Sequence, residues 1–448
     1  MPPRLVSGLR RDLGTLESYA ALLGILIGAG IFKVTSEAWE LTGPSVILGY
    51  VVLAPAVLAT SVAYSVFLST PLGREPGGEY THLSRTFGGY GLAFVGVWLK
   101  IISYIGALAY LAVAFAEYLS ALLPRKVAPL PIAIASLIFF YVVHVVGVRW
   151  FGRIQVWMCA LLGVSLVVLI VPGLFAIHFA NYRPFITHGV SGFASALPPL
   201  FFAYAGFESL AQAAGEVRDS TERLPRVFLK GVAATTVIFF LMSAVAFGVL
   251  PGPQLRASSA PMTAVAAQFL PAGGAWFVTL GAVMALSTSL NATMLVPSRV
   301  AIMLAEDRLA PRILGAISEK TGTPVIGLTI TLVASLALLV SGEIGLALNI
   351  AVFALVILYF LHSLALLLLP SRNPELFASA TMRLPLSLQR IAAVVSLLSM
   401  GTLIALQIAG DVRARLAGGS LTTLELTLIW GAVGAILYAS ARRQALTA

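Results

Sequence analysis

The sequence is poor in charge, in cysteine and in usefully spaced histidine. Asp, Glu, Lys and Arg make up only 10% of its 448 residues, whereas a soluble globular protein carries about 25%. The single cysteine, Cys159, excludes an internal disulfide and a cysteine metal cluster. The five histidines have no His-x-x-x-His spacing, and no serine lies in a nucleophile-elbow pattern. These absences argue against a soluble protein and against a membrane enzyme.

What the sequence has instead is long apolar runs. Hydrophobic residues make up 59% of the chain, and the runs reach the roughly 20 residues that a helix needs to cross a bilayer. Because they do not alternate with a period of two, they indicate helices rather than a β-barrel. We predict an all-α polytopic membrane protein whose first span is retained rather than cleaved as a signal peptide. The twelve predicted spans are about 16–41, 45–69, 89–122, 128–148, 151–178, 192–214, 227–250, 274–304, 324–341, 344–370, 386–408 and 420–441.

The net charge of +10 is better explained by cytoplasmic loops than by nucleic-acid binding, since Lys and Arg concentrate on the cytoplasmic side of membrane proteins. With the N-terminus inside, most of the 28 Lys and Arg residues fall in inner segments. The outer segments hold only Arg125, Lys126, Arg183, Arg256, Arg413 and Arg415. We therefore expect a protein of the plasma (inner) membrane with both termini cytoplasmic. We expect it to be a monomer or a homodimer that contacts the lipid bilayer and does not bind nucleic acid.

Three glycines, Gly24, Gly28 and Gly30, interrupt the first predicted span. Each costs about 1 kcal/mol of helix propensity relative to alanine. Inside a membrane, broken backbone is tolerated only where it is buried in protein or lines a cavity. The stretch is therefore either a binding site or a small-residue face for helix packing.

The sixth span repeats this arrangement in Phe202-Ala-Tyr204-Ala-Gly206-Phe207-Glu208. A carboxylate at mid-membrane costs about 2.5–3.5 kcal/mol, so Glu208 is either a functional group or a hydrogen-bonded helix cap. Interrupted spans at corresponding positions of two halves are typical of inverted-repeat transporters with a central binding site.

Polar groups elsewhere allow two interpretations. Span eight carries Ser287, Thr288, Ser289 and Asn291; its hydroxyls either bond to carbonyls one turn earlier or coordinate a hard cation. His362 in span ten is interpreted as a packing residue rather than a proton carrier. The glycine-flanked connector 76–90 is expected to lie along the cytoplasmic surface.

Four stretches, in this order, resemble the amino acid–polyamine–organocation superfamily of secondary transporters. They are Ile27-Gly-Ala-Gly-Ile-Phe32, Pro76-Gly-Gly-Glu-Tyr80 leading to Phe87-Gly88, Phe202 to Glu208 leading to Ala214-Gly-Glu216, and Arg299 through Leu304-Ala-Glu-Asp-Arg-Leu-Ala-Pro311. The resemblance covers spans one to ten. It implies one transporter domain, 1–448, in which spans one and six are broken. The first repeat is 16–178 and the second 192–370, a five-plus-five inverted repeat, and 386–441 forms two peripheral spans.

The resemblance also implies a substrate site. The backbone amides of Ala29, Gly30 and Ile31 would receive a substrate carboxylate, which agrees with the preference of helix N-termini for anions. Carbonyls of Leu26 or Ile27, and of Phe202 and Ala205, would bind the ammonium group. The remaining candidates, for gating and side-chain specificity, are Phe202, Phe207, Glu208, Ile102, Ile105 and Asn291.

A cation site is implied by sodium-coupled relatives. Ala285-x-x-Thr288-Ser289 resembles the span-eight half of their sodium site, and the span-one carbonyl donors match Gly24 and Ile27. Together they would supply five oxygens. Some proton-coupled members instead carry a lysine in span five, where this sequence has Leu162.

We expect a carrier of amino acids that works by alternating access and has no cofactor except a sodium ion or a proton for coupling. Sodium symport, proton symport through Glu208 or another acid, and coupling-free exchange remain open. Glu208 could alternatively meet a cationic side chain in an exchanger of cationic amino acids or polyamines. From another class, the same fold could serve a sensor that does not transport.

Overall fold

The computed structural model describes residues 11, 13–75, 77–123, 127–418 and 421–447. The N-terminal residues before 11, Pro76, Arg125 and Lys126 lie outside these ranges. The helices are α1 Thr15–Leu26, α2 Thr35–Thr42, α3 Val46–Leu68, α4 Glu79–Phe87, α5 Gly91–Leu122, α6 Pro129–Val146, α7 Val148–Phe175, α8 Gly189–Phe201, α9 Ser209–Gln212, α10 Ser220–Val249, α11 Gly252–Ala257, α12 Pro261–Ala266, α13 Ala272–Glu306, α14 Val325–Ser341, α15 Ile344–Arg372, α16 Pro374–Ala378, α17 Leu386–Leu416 and α18 Thr423–Thr447.

The regular secondary structure of the described residues is helical. Their only β-type pairing is one isolated parallel bridge between Leu13 and Val217. Ten helical segments are long and apolar enough to cross a membrane. One of them, Thr15–Leu68, contains two of the predicted spans, because the chain turns at Gly43 (φ 70°), and Val325–Ser341 is a shorter apolar helix. The prediction of an all-α polytopic membrane protein is confirmed.

Two segments are broken where the sequence places glycine. Helix α1 ends at Leu26, and the chain resumes as a π-helical turn, Gly30–Val34, that continues into α2. Helix α8 ends at Phe201 and passes through a 3-10 turn before α9 begins at Ser209. Between them Gly206 has φ 99°, in the left-handed region that glycine adopts without a steric penalty.

The centre of the bundle is formed by α5, α13 and α15, with α5 packing extensively on both α13 and α15. In the apolar window of α13, 89% of the residues are buried, against 28% for α17 and 11% for α18. The last two long helices therefore lie at the periphery, with apolar faces turned outward, as expected for residues in contact with lipid.

The connector after α3 is predicted to lie along the cytoplasmic surface, and this prediction is wrong. Helix α4 is inserted into the bundle, and Glu79 and His82 are fully buried. The amphipathic pattern had suggested a surface helix, but the polar side chains on its inner face meet polar partners on α3, α5 and α15. The polar face of α4 is buried because its partners lie on helices that are distant in the sequence, and the local sequence does not reveal them.

A buried ion pair links α13 to the segment after α9. Arg299 Nε lies 3.3 Å from Glu216 Oε1, and the two side chains are at most 1% exposed. Removing one partner of such a pair leaves the other charge buried without this counter-charge, which costs about 3–5 kcal/mol.

We therefore expect Arg299→Met to lower the free energy of unfolding by about 3–5 kcal/mol, measured by thermal or denaturant unfolding in detergent. Arg256→Met is the control, because its pair with Glu40 is largely exposed and should contribute less than about 1 kcal/mol. Equal effects of the two substitutions would contradict the structural role of the buried pair.

Candidate substrate site

The two helix breaks face each other across a small cavity at the centre of the bundle. The first break contributes Leu26, Gly28, Ala29 and Gly30, and the second contributes Phe202, Ala205 and Gly206. The cavity measures about 30 Å³, which is room for only one or two water molecules. A larger ligand can enter only if the surrounding helices move apart.

The first break presents backbone N–H groups to this cavity. Gly28 N–H donates to Leu26 O at 3.1 Å, and Ile31 N–H to Gly28 O at 3.2 Å. Among the described contacts, the N–H groups of Ala29 and Gly30 have no acceptor. They lie at the N-terminal end of the helical segment that runs from Gly30 through α2, where the helix dipole favours an anion.

The second break presents the carbonyl group of Ala205. Ala205 has extended backbone (φ −69°, ψ 146°) and donates its N–H to the carbonyls of Phe201 and Phe202, each at 3.1 Å. In the described structure the Ala205 carbonyl accepts no backbone hydrogen bond. Free carbonyl oxygens in a buried cavity are suited to an ammonium group.

The two breaks are in direct contact. A Cβ atom added to Gly30 would fall on the backbone of Ala203. The Gly30 carbonyl accepts a hydrogen bond from the Tyr50 hydroxyl at 3.0 Å, and Thr35 Oγ1 lies 2.7 Å from the same hydroxyl. The break in the first span is thus held in position by α3 and by the second break.

The rest of the cavity wall is mostly apolar. One member is Ile25 near the end of α1, and the others come from the central helices α5, α13 and α15 and are Ser103, Tyr104, Ala107, Leu111, Thr293, Ala351 and Leu355. Three of them are small enough to leave space for a ligand side chain, and only three carry a hydroxyl. This wall suits an apolar side chain better than a charged one.

The sequence-predicted substrate residues are divided between the cavity and its surroundings. Leu26, Ala29, Gly30, Phe202 and Ala205 line the cavity. The predicted residues that do not line it are Ile27, Ile31, Ile102, Ile105, Phe207, Glu208 and Asn291. Ile105 lies instead on a lateral crevice between α5, α13, α14 and α18.

Glu208 lies one hydrogen bond behind the cavity wall. Its Oε1 accepts a hydrogen bond from Tyr104 Oη at 2.5 Å, and its Oε2 accepts one from Tyr359 Oη. Lys100 Nζ is 3.6 Å from Oε1. Because Tyr104 itself lines the cavity, Tyr104 is the link between Glu208 and any bound ligand.

Lys100 joins Glu208 to a second buried carboxylate, that of Glu79. Lys100 Nζ lies 2.9 Å from Glu79 Oε2, and both side chains are 0% exposed. Tyr64 Oη donates to Glu79 Oε1 at 2.5 Å, and Gln212 Nε2 donates to Oε2. Burial raises the pKa of Glu79, although the Lys100 ammonium acts in the opposite direction. We call Glu79, Lys100 and Glu208 the charge cluster.

A histidine pair lies beside the charge cluster. His82 Nδ1 and His362 Nε2 are 2.9 Å apart, and the His362 ring stacks on Tyr64 with ring centroids 4.0 Å apart. Burial, and secondarily the charge of Lys100, lower the pKa of His82 to about 3, so this imidazole is neutral at physiological pH. The ring contacts of His362 agree with a packing role, and it also has a polar partner in His82.

The oxygens of the predicted cation site are only partly brought together. Thr288 Oγ1 is 2.8 Å from Gly24 O and 2.7 Å from Ala285 O, and Ser289 Oγ donates to Gly24 O at 2.8 Å. In the described contacts Ile27 O takes no part; Ile25 O accepts from Ser289 at 3.3 Å.

The side-chain amide of Gln155 on α7 occupies the same region. Its Nε2 donates to Ala20 O and Thr288 O, each at 3.3 Å, and its Oε1 accepts from Asn291 Nδ2 at 2.9 Å. An N–H donor repels a cation. These residues therefore form a network of internal hydrogen bonds rather than a five-oxygen cage, and they do not fit sodium in this arrangement.

Sequence reasoning overlooked the partners of Glu208. A lysine within an apolar span is as unusual as a glutamate there, and intramembrane charges pair with one another. The charge of Lys100 within a predicted span was therefore a signal that it pairs with Glu208. Tyr104 lies one turn further along the same helix, α5. No comparable signal marked Tyr359, whose position depends on the packing of α15.

Comparison with known proteins identifies the family of the chain. A family model described as amino acid permease matches residues 13–433. The chain belongs to the amino acid permease family. This confirms the resemblance to the amino acid–polyamine–organocation superfamily.

Three relatives illustrate the range of the family. The branched-chain amino acid permease BcaP of Bacillus subtilis is 27% identical over 82% of this permease and 83% of its own length. The methylthioribose transporter of the same species is 24% identical over 83% of this chain and 84% of its own. Cationic amino acid transporter 1 of Arabidopsis thaliana is 26% identical over 71% of this chain, but only 55% of its own length is covered.

We predict that Gly30→Ala lowers ligand binding and uptake at least tenfold, because the added methyl group would collide with the Ala203 backbone and displace the free amides. Substrate-induced thermal stabilisation and uptake into liposomes measure the two effects. Gly163→Ala on α7 is the matched control, since nothing lies within 4 Å of the added methyl group. Normal uptake by Gly30→Ala would exclude the break as the substrate site.

Proposed function

We propose that this permease carries neutral amino acids with apolar side chains across the plasma membrane by alternating access. The observation that supports this most strongly is the pair of free N–H groups at Ala29 and Gly30, facing a cavity whose far wall is apolar. The carboxylate would bind these amides, the ammonium would bind carbonyls of the two breaks, and the side chain would lie against Ala107, Ala351 and Leu355.

A neutral substrate is favoured over a cationic one. The carboxylate of Glu208 already has the Lys100 ammonium and the hydroxyls of Tyr104 and Tyr359 as partners. It does not line the cavity, so a cationic side chain would have to displace these partners to reach it. The name of the branched-chain permease among the relatives is consistent with an apolar substrate.

The architecture proposed for this mechanism has twelve spans in a five-plus-five inverted repeat, with α17 and α18 peripheral and both termini cytoplasmic. Two broken spans in corresponding positions support it. The bundle that contains α1, α2, α8 and α9 would rock against the helices that surround it, and the small size of the cavity fits an occluded conformation between two open ones.

For the coupling ion we propose a proton rather than sodium. The charge cluster contains two carboxylates and one ammonium, all fully buried, so it has a net charge of −1 when both carboxyl groups are ionised. Burial disfavours an uncompensated charge, and binding one proton neutralises the cluster. The Tyr104 hydroxyl would connect this protonation to the substrate cavity.

We expect branched-chain amino acids to stabilise the purified permease and to be taken up by liposomes. Ala351→Leu should weaken leucine binding about tenfold or more, because overfilling an apolar pocket is costly, while alanine binding is retained. Ala432→Leu, on the exposed face of α18, is the control. Binding without any flux would favour a sensor, and stabilisation by arginine but not leucine would favour the cationic exchanger.

Uptake should be driven by an inward proton gradient and be insensitive to sodium. With Glu208→Gln, accumulation driven by the proton gradient should fall at least tenfold, because the cluster is then neutral without a proton. Exchange of internal for external substrate, which needs no net proton movement, should persist.

The matched control is Glu117→Gln, which removes the partner of Lys33 outside the charge cluster. Sodium-stimulated uptake that is lost in Thr288→Ala would contradict the proton proposal and restore the sodium site. Unchanged proton-driven accumulation in Glu208→Gln would exclude a coupling role for Glu208.

A further inference from the structure

A second, larger cavity opens on the side of the bundle, between α5, α13, α14 and α18. Its volume is about 760 Å³, far larger than the central cavity. The side chains that line it are mainly apolar and include Phe94, Trp98, Leu304, Ile330 and Leu437. Because α14 and α18 are among the helices with outward-facing apolar surface, this crevice faces the lipid rather than the substrate site.

The depth of the crevice matches one leaflet of a bilayer. All four helices reach the same end of the bundle, where α5 and α14 begin and α13 and α18 end. The lining residues on α18 run from Trp430 to Ala441, and those on α5 run from Phe94 to Ile105. Each run corresponds to about 16 Å of helix, roughly half of the 30 Å hydrocarbon core.

The mouth of the crevice is basic. Arg308 and Arg312 line it directly after the end of α13, and the Ser440 hydroxyl lies on the opposite wall. Both arginines are exposed and have no ion-pair partner among the described residues. The neighbouring Asp307 does not line the crevice, since its carboxylate accepts a hydrogen bond from Tyr80 at 2.6 Å on the other side.

The wall formed by α5 and α18 is fixed by a pair of stacked tryptophans. The rings of Trp98 and Trp430 are 4.4 Å apart and nearly parallel. Each indole N–H donates to the backbone carbonyl of the other residue at 2.7 Å. This reciprocal contact holds α18 against α5, so the crevice is a preformed feature rather than a gap between loose helices.

We propose that the crevice binds one anionic phospholipid from the leaflet on its own side of the membrane. The phosphate would lie between Arg308 and Arg312, and an acyl chain would run along Trp98, Ile330 and Leu437. Basic pockets between membrane helices bind acidic lipid headgroups through the same combination of charge and apolar contact. The site is separate from the substrate cavity and does not depend on the proposed transport function.

Native mass spectrometry of the full chain in detergent tests this proposal, with phosphatidylglycerol and phosphatidylcholine of the same chains as probes. We expect one phosphatidylglycerol molecule to bind tightly and phosphatidylcholine to bind more weakly. Arg308→Gln with Arg312→Gln should weaken phosphatidylglycerol binding about 25-fold, since a basic residue near the membrane surface contributes about fivefold. Ala334→Trp, which fills the apolar part of the crevice, should weaken the binding of both lipids.

Arg383→Gln with Arg390→Gln is the charge-matched control, because these exposed arginines lie outside the crevice. Retained thermal stability will establish that each variant is folded. Equal binding of the two lipids, or phosphatidylglycerol binding that is unchanged in the Arg308 and Arg312 variant, would overturn the proposal. Binding lost equally in the control pair would show only a general surface-charge effect and would also overturn it.

Discussion

Unpaired backbone groups inside a membrane are the constraint around which this permease is built. An N–H or carbonyl group without a partner in hydrocarbon costs several kcal/mol, so the two breaks can exist only where protein encloses them. The central helices α5, α13 and α15 provide that enclosure, and Tyr50 and Thr35 hold the first break in place. The groups that make the breaks costly are the same groups that a zwitterionic ligand would satisfy.

The buried charges follow a similar logic. Arg299 and Glu216 form a buried ion pair that joins two elements. The charge cluster differs, because two carboxylates share one ammonium and rely on tyrosine hydroxyls for the remaining hydrogen bonds. An arrangement with an unequal number of charges is sensitive to the gain of a proton. In the proposed mechanism, the hydrogen bond from Tyr104, which lines the cavity, would link protonation of the cluster to ligand binding.

Much of the candidate site was predictable from local sequence. The glycines at 28, 30 and 206 marked both breaks, although a small-residue packing face was an alternative for the first, and Glu208 marked a buried polar group beside the second. The neighbours of Glu208 were harder to predict. Glu79 was assigned to a surface connector, although α4 enters the bundle. The amide of Gln155, which the sequence did not single out, reaches the region between α1 and α13.

The sequence by itself determined that the chain is a helical membrane protein of the permease family and where two of its helices break. These properties depend on composition and on residue types at single positions. Only the tertiary structure decided that Glu208 lies behind the cavity wall, that Lys100 bridges it to Glu79 and that a lipid-sized crevice opens beside α18. Distances between helices far apart in the chain depend on how whole surfaces pack, which local patterns do not specify.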